Sequence, residues 1–230
     1  MSEVKRLQSL EFAGPAVYSP IVPHRVPLSV IFMLPTRLLR VALVVFVAFA
    51  LACDYNALPP ATYANPLGTY TLTPLTNGSN FEPNAIGFLT GSSRANSSFT
   101  FDVAFDVDPT GVPLAYPVRS LGGALAGGLK RVGLQLLDTA FDAQRIVPST
   151  GYDTLTVQKL KIGRTVAVQM LDNNACFNAT LLTTQLLYAK FVVDSVNVAG
   201  KRIYVRTVTD PNCGYRSVVP DSVPKTPDAP

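Results

Sequence analysis

Residues 97–108 read Ser-Ser-Phe-Thr-Phe-Asp-Val-Ala-Phe-Asp-Val-Asp. Phe99, Phe101, Val103, Phe105 and Val107 fall on one side of an extended chain. Thr100, Asp102, Ala104, Asp106 and Asp108 fall on the other. A strict period of two marks a strand with one buried and one solvated face. Asp108-Pro109-Thr110-Gly111 then offers a turn into a second strand over 112–118.

The same grammar recurs in both directions. Gly68-Thr-Tyr-Thr-Leu-Thr73 is rich in strand-forming residues. Thr76-Asn-Gly-Ser-Asn80 is turn chemistry, and 85–90 is a short strand candidate. Residues 132–137 read as a strand and 141–146 as a strand or a helical turn. Residues 154–162 and 165–171 flank Gly163 as a hairpin. The apolar set of 154–162 switches face, and a bulge near Gln158 accounts for that. Residues 187–198 and 202–209 form another hairpin around Ala199-Gly200-Lys201. Eight or nine short strands with regular turns predict an all-β fold: a single antiparallel β-sandwich, immunoglobulin-like or barrel-like, over 68–219. No tryptophan is present, so the Cys…Trp…Cys pattern of antibody domains is missing.

Upstream of this domain the character changes. Residues 41–52 are twelve uncharged apolar residues, with Arg37 and Arg40 just ahead and Cys53 just behind. A basic region, an apolar region of about 7–15 residues and small residues at a cut site define an export signal. The run is short of the roughly 20 apolar residues of a spanning helix. Ala50-Leu51-Ala52-Cys53 resembles the lipobox that ends a bacterial lipoprotein signal. That resemblance covers 33–53. It departs at Ala50, where Leu is usual, and at Leu51, where Ala or Ser is usual. It implies acylation of Cys53 and cleavage before it, and more than one acyl chain anchors firmly. Met33 gives the signal an ordinary length, and residues 1–32 then read as a misassigned start or a cytoplasmic arm. Asp54 points weakly to the inner membrane. Residues 54–67, with Pro59, Pro60 and Pro66, read as an extended tether. The proline-rich 220–230 reads as a disordered tail.

Charge and chemistry narrow the function. Residues 1–52 hold five of the 19 basic residues and two of the 15 acids, leaving 14 and 13 for 53–230. A net charge of +1 gives no basic stripe for nucleic acid. The single histidine, His24, precedes the domain. Histidine-based triads and the commonest zinc ligand are therefore missing after Cys53. Cys176 and Cys213 remain as an even pair, and an oxidising compartment makes a disulfide the expectation. Gly122–Gly128 is a glycine-rich connection, not a phosphate loop, since Lys130 and Arg131 miss the required Gly-Lys-Ser/Thr.

Of the acidic row, only Asp106 and Asp108 are close enough on a strand to share a calcium ion. A solvated face is the plainer reading of them. Tyr188, Lys190, Tyr204, Arg206, Tyr215 and Arg216 gather aromatic and cationic side chains late in the chain, a composition that suits an interaction patch. Asn77-Gly-Ser, Asn96-Ser-Ser and Asn178-Ala-Thr fit the glycosylation pattern but stay bare in a bacterial lipoprotein.

The expectation is a non-enzymatic, lipid-anchored protein on the periplasmic side of a membrane. It needs no cofactor and has a binding or structural role beside an envelope protein. The alternatives are an accessory subunit of a respiratory or photosynthetic inner-membrane complex, with segment 28–52 kept as a helix, and an envelope glycan hydrolase.

Overall fold

The computed structural model describes residues 58–122, 130–171, 175–178 and 183–227. The export signal, Cys53, most of the glycine-rich connection and residues 228–230 lie outside the described residues. Residues 54–230 form one compact unit. Its strands are β1 (Leu67–Leu72), β2 (Ala85–Gly87), β3 (Gly91–Ser93), β4 (Val103–Val107), β5 (Pro113–Pro117), β6 (Arg131–Ala140), β7 (Gln158–Lys159), β8 (Arg164–Leu171), β9 (Phe177–Asn178), β10 (Thr183–Thr184), β11 (Leu186–Asn197) and β12 (Arg202–Asp210). One 3-10 turn, Val118–Leu121, follows β5.

Two five-stranded antiparallel sheets make a sandwich. The first has the order β1-β12-β11-β8-β6, the second β3-β2-β4-β5-β7, and β9 and β10 form a separate ribbon. The core lies between the sheets. Leu187, Ala189, Phe191 and Val193 alternate along β11 into it, met by Val166 and Val168 of β8 and Ile203 and Val205 of β12. The second sheet contributes Ile86, Val103, Phe105 and Ala115. Phe105 meets Phe191 edge to face at 5.4 Å, and Phe88 lies 6.2 Å from Phe191. Aromatic pairs favour such offset or edge arrangements over a flat stack.

β11 and β12 are joined as expected, with a bulge between Val193 and Ser195. The turn after β4 also forms. Asp108 Oδ1 accepts the Thr110 and Val112 amides, each at 2.9 Å, and Gly111 takes a positive φ of 87°. The strand expected over 97–108 shrinks to Val103–Val107. At its start, Asn96 Oδ1 accepts the Ser98 amide at 2.9 Å, a local turn that competes with extension there. The hairpin expected around Gly163 does not exist. Only Gln158 and Lys159 are extended in 154–162, and they pair with β5 in the second sheet, whereas β8 enters the first. Between them the chain crosses the sandwich, inserting Leu160 into the core. That crossing, and not a bulge at Gln158, explains the switch of apolar face.

The row of acids is not a solvated face. Asp102 is 1% exposed. Its Oδ2 accepts the Phe88 amide at 2.7 Å, and Lys130 Nζ stands 2.7 Å from Oδ1. Asp106 is also buried. Both faces of β4 are therefore covered.

The first sheet carries a further layer on its outer face. Phe141, Val147 and Val218 pack onto Ala167, Tyr188, Val192 and Val208. Tyr152 lies so close over Gly133 that a Cβ there would meet it at 2.7 Å. Residues 141–146 supply part of this layer as a turn, with the Gln144 amide donating to Ala140.

The C-terminal stretch expected as a tail is ordered through residue 227. The Arg216 amide donates to Pro227 and the Asp221 amide to Asn65. The tether is likewise bound over 58–66. Asn212 Oδ1 accepts the Thr62 and Tyr63 amides at 2.9 and 3.0 Å, and Asn65 Nδ2 donates to Ser217 at 2.8 Å. Asp210 holds Asn212 in place, its Oδ1 accepting both the Asn212 amide and Nδ2.

Asp210 is fully buried, and burial pushes its carboxyl up to about 6. A raised folded-state pKa means that the native chain binds the proton more tightly than the unfolded one. The resulting stabilisation is full below about 3.8 and is lost as pH rises through about 6. Urea midpoints of the parent chain, measured from pH 4 to 7, fall relative to those of Asp210→Asn by about 1–3 kcal/mol in unfolding free energy. A constant difference across that range refutes the assignment.

Candidate functional site

A cleft opens where the ends of two hairpins meet, one from each sheet. The β4–β5 end supplies Asp106, Asp108, Leu114 and Tyr116, and the β11–β12 turn supplies Asn197, Val198 and Lys201. Residues 74–77 close a third side. The tips touch: a Cβ on Gly111 would lie 3.5 Å from Val198 Cγ2. The volume is about 650 Å³, inside the range of roughly 300–1,000 Å³ typical of small-ligand sites.

Asp106 is 3% exposed and sits on the cleft wall. Its Oδ1 accepts the Thr76 hydroxyl at 3.0 Å, the Thr76 amide at 3.4 Å and the Val107 amide at 2.9 Å. Among the described residues, Oδ2 has no hydrogen-bond partner. Asp108 is partly exposed and differently engaged. The Thr110 hydroxyl, 2.6 Å away, and the amides of Val112 and Thr110 hold its carboxyl below the usual carboxylate range. Burial pushes the Tyr116 phenol up, and the Asp106 charge adds to that. The phenol is thus a neutral donor at physiological pH.

Lys201 has a positive φ of 52°, in the left-handed region. A side chain there costs about 1–2 kcal/mol where glycine costs nothing. Lys201→Gly is expected to raise the unfolding free energy by about 1 kcal/mol in a denaturant titration. An unchanged or lowered value refutes the strain.

The structure brings Asp106 and Asp108 together, as the strand spacing required. It does not complete a cation cage around them. Among the described residues no group of three or more His, Cys, Asp or Glu side chains is placed to hold a metal. Both carboxylates also commit Oδ1, Asp106 to Thr76 and Val107 and Asp108 to Thr110 and Val112. They stand side by side along one stretch of chain rather than facing each other across the cleft.

The six residues read as an interaction patch do not form one exposed surface. Tyr188, Lys190 and Tyr215 are 5%, 1% and 4% exposed. Lys190 Nζ donates to the Phe141 and Gln144 carbonyls at 2.7 Å each and lies 4.4 Å from the Phe141 ring centre. Burial lowers its pKa to about 8. Arg206 covers the same ring at 4.8 Å and pairs with Asp194 at 2.8 Å. Tyr215 donates its hydroxyl to Pro59, and Arg216 donates to Val147 at 3.0 Å. Only Tyr204 is openly exposed. These side chains fasten the outer layer to the first sheet.

Thr76, Tyr116, Asn197 and Lys201 were not singled out in the sequence as site residues. Thr76 and Lys201 lie in segments legible only as turns. Thr76 reaches Asp106 across 30 residues, and Lys201 comes beside it only because the two sheets pack face to face.

Cys176 and Cys213 form a disulfide, with Cα atoms 5.6 Å apart. No described helix is long and apolar enough to cross a membrane. Comparison with protein-family models, curated proteins and solved structures finds no match.

Proposed function

We propose that the chain is an envelope lipoprotein. In this reading Cys53 is acylated, and the β domain serves a binding or structural role on the periplasmic side of a membrane, without catalysis. The observation that carries the reading is the Cys176–Cys213 disulfide, downstream of an export-type leader. Such bonds persist in oxidising compartments and are rare in the cytosol. The binding role is supported by the cleft, which offers a carboxylate, a phenol, amides and an ammonium together. It offers no histidine, because none follows His24.

Intact-mass analysis of the membrane-extracted protein tests this. A mature chain beginning at Cys53 and carrying acyl chains is the expected result. A full-length, unacylated chain overturns it. That second outcome favours a retained helix in an inner-membrane complex, a reading supported by the departures from the lipobox at Ala50 and Leu51. Co-purifying membrane subunits would accompany it.

A further inference from the structure

We propose that the cleft between the two hairpin ends binds a neutral oligosaccharide, with Asp106 Oδ2 accepting a sugar hydroxyl and Tyr116 forming one wall. This deepens the binding role proposed above and rests on that role being exercised at this cleft.

The argument begins with Asp106. It is 97% buried by its 3% exposure, yet only one of its oxygens is bonded. Oδ2 is not fully enclosed, so water reaches it, and a donating occupant takes the place of that water. The remaining polar groups require more than donation. Lys201 can only donate, Asn197 Oδ1 already accepts the Gly200 amide at 2.8 Å, and the Asn77 amide both donates and accepts. An occupant that donates and accepts at several points meets these demands, and a hydroxyl does both.

Charge removes other classes. Asp106 and Asp108 line the cleft with Lys201, and Lys159 lies near Asp108, so an anion gains no net attraction there. A lone calcium ion wants six to eight oxygens, and the described residues offer no cluster of three acidic ligands. The volume of about 650 Å³ also far exceeds an ion's needs. The walls between the polar groups are apolar: Pro74, Leu114 and Val198. Apolar walls with a few convergent polar groups suit a ring that carries C–H faces as well as hydroxyls.

The test uses the full-length chain, isotope-labelled and extracted in a detergent without a sugar headgroup. Amide shifts are followed during titration with maltotriose, cellotriose, mannotriose and chitotriose, and separately with calcium chloride. At least one trisaccharide is expected to give saturable shifts at Asp106, Tyr116 and Lys201. Asp106→Asn preserves the shape and the Thr76 contact. It is expected to weaken binding about ten-fold, through loss of a charge-assisted hydrogen bond. Tyr116→Phe, a milder change at a partly exposed side chain, is expected to weaken it several-fold. It serves as the reporter if Asp106→Asn does not fold.

The proposal is overturned by no saturable shift up to about 10 mM of every sugar. It is equally overturned by shifts mapping elsewhere, by unchanged affinity in the variants, or by calcium chloride alone reproducing the shifts. Failure here is distinguishable from failure of the lipoprotein reading, because the mass of the mature chain reports on that reading alone.

Discussion

Phe191→Ala lowers the unfolding free energy by about 3–5 kcal/mol. Phe191 sits in the middle of β11, the central strand of the first sheet, and is fully buried. It is also the point where the sheets meet, since Phe105 and Phe88 of the second layer both pack on it. Truncation removes the ring's transfer free energy and leaves a cavity. β11 is hydrogen-bonded on both sides, at Val166 and Thr207, so the backbone cannot close the gap. Urea unfolding measures the loss. A change below about 1 kcal/mol would mean that the sheets do not share this core.

Replacing Cys176 and Cys213 together with alanine lowers stability by about 3–4 kcal/mol. The bond closes a loop across a sequence separation of 37 residues, and constraining such a loop reduces the entropy of the unfolded chain. It also fixes the segment leading into β9 beside the end of β12. Denaturant titrations of the oxidised, reduced and doubly substituted chains check this. The reduced and substituted forms should coincide at the lower midpoint. If all three coincide, the bond carries no stabilisation. The two losses should add, because one acts in the core and the other on the unfolded ensemble.

Much of the fold was legible before any coordinates. The β11–β12 hairpin follows from two runs of strand-forming residues around Ala199-Gly200-Lys201. The Asp108–Gly111 turn follows from a side chain that binds amides two and four residues ahead. Gly163 shows the limit. Its positive φ is a local property, and it looks the same whether the next strand pairs back or crosses to the other sheet.

The candidate site was half legible. Asp106 and Asp108 stood out because two acids shared one face. Their partners did not, because Tyr116 lies on a pleated strand and Lys201 in a turn like any other. The six-residue patch failed for a different reason. Tyr188 and Lys190 alternate correctly to the outer face of β11, and aromatic and cationic residues on an outer face read as surface. The cover over them comes from 141–153 and from the stretch after Asp210, segments with no period of their own.

The sequence by itself determined that this chain is built of antiparallel strands and where most of its tight turns lie; with Cys53 set aside, it also led to the expectation that Cys176 and Cys213 pair, as they do in the structure. Those features rest on local backbone preference, on the period of two and on parity. Only the tertiary structure decided which faces are wet. Lys190 and Asp210 lie on strands and Asp102 just ahead of β4, yet all three ionisable side chains are enclosed by other segments of the chain. Periodicity tells that a strand has two faces. Burial of the second face depends on what distant chain is laid over it, and no local pattern carries that information.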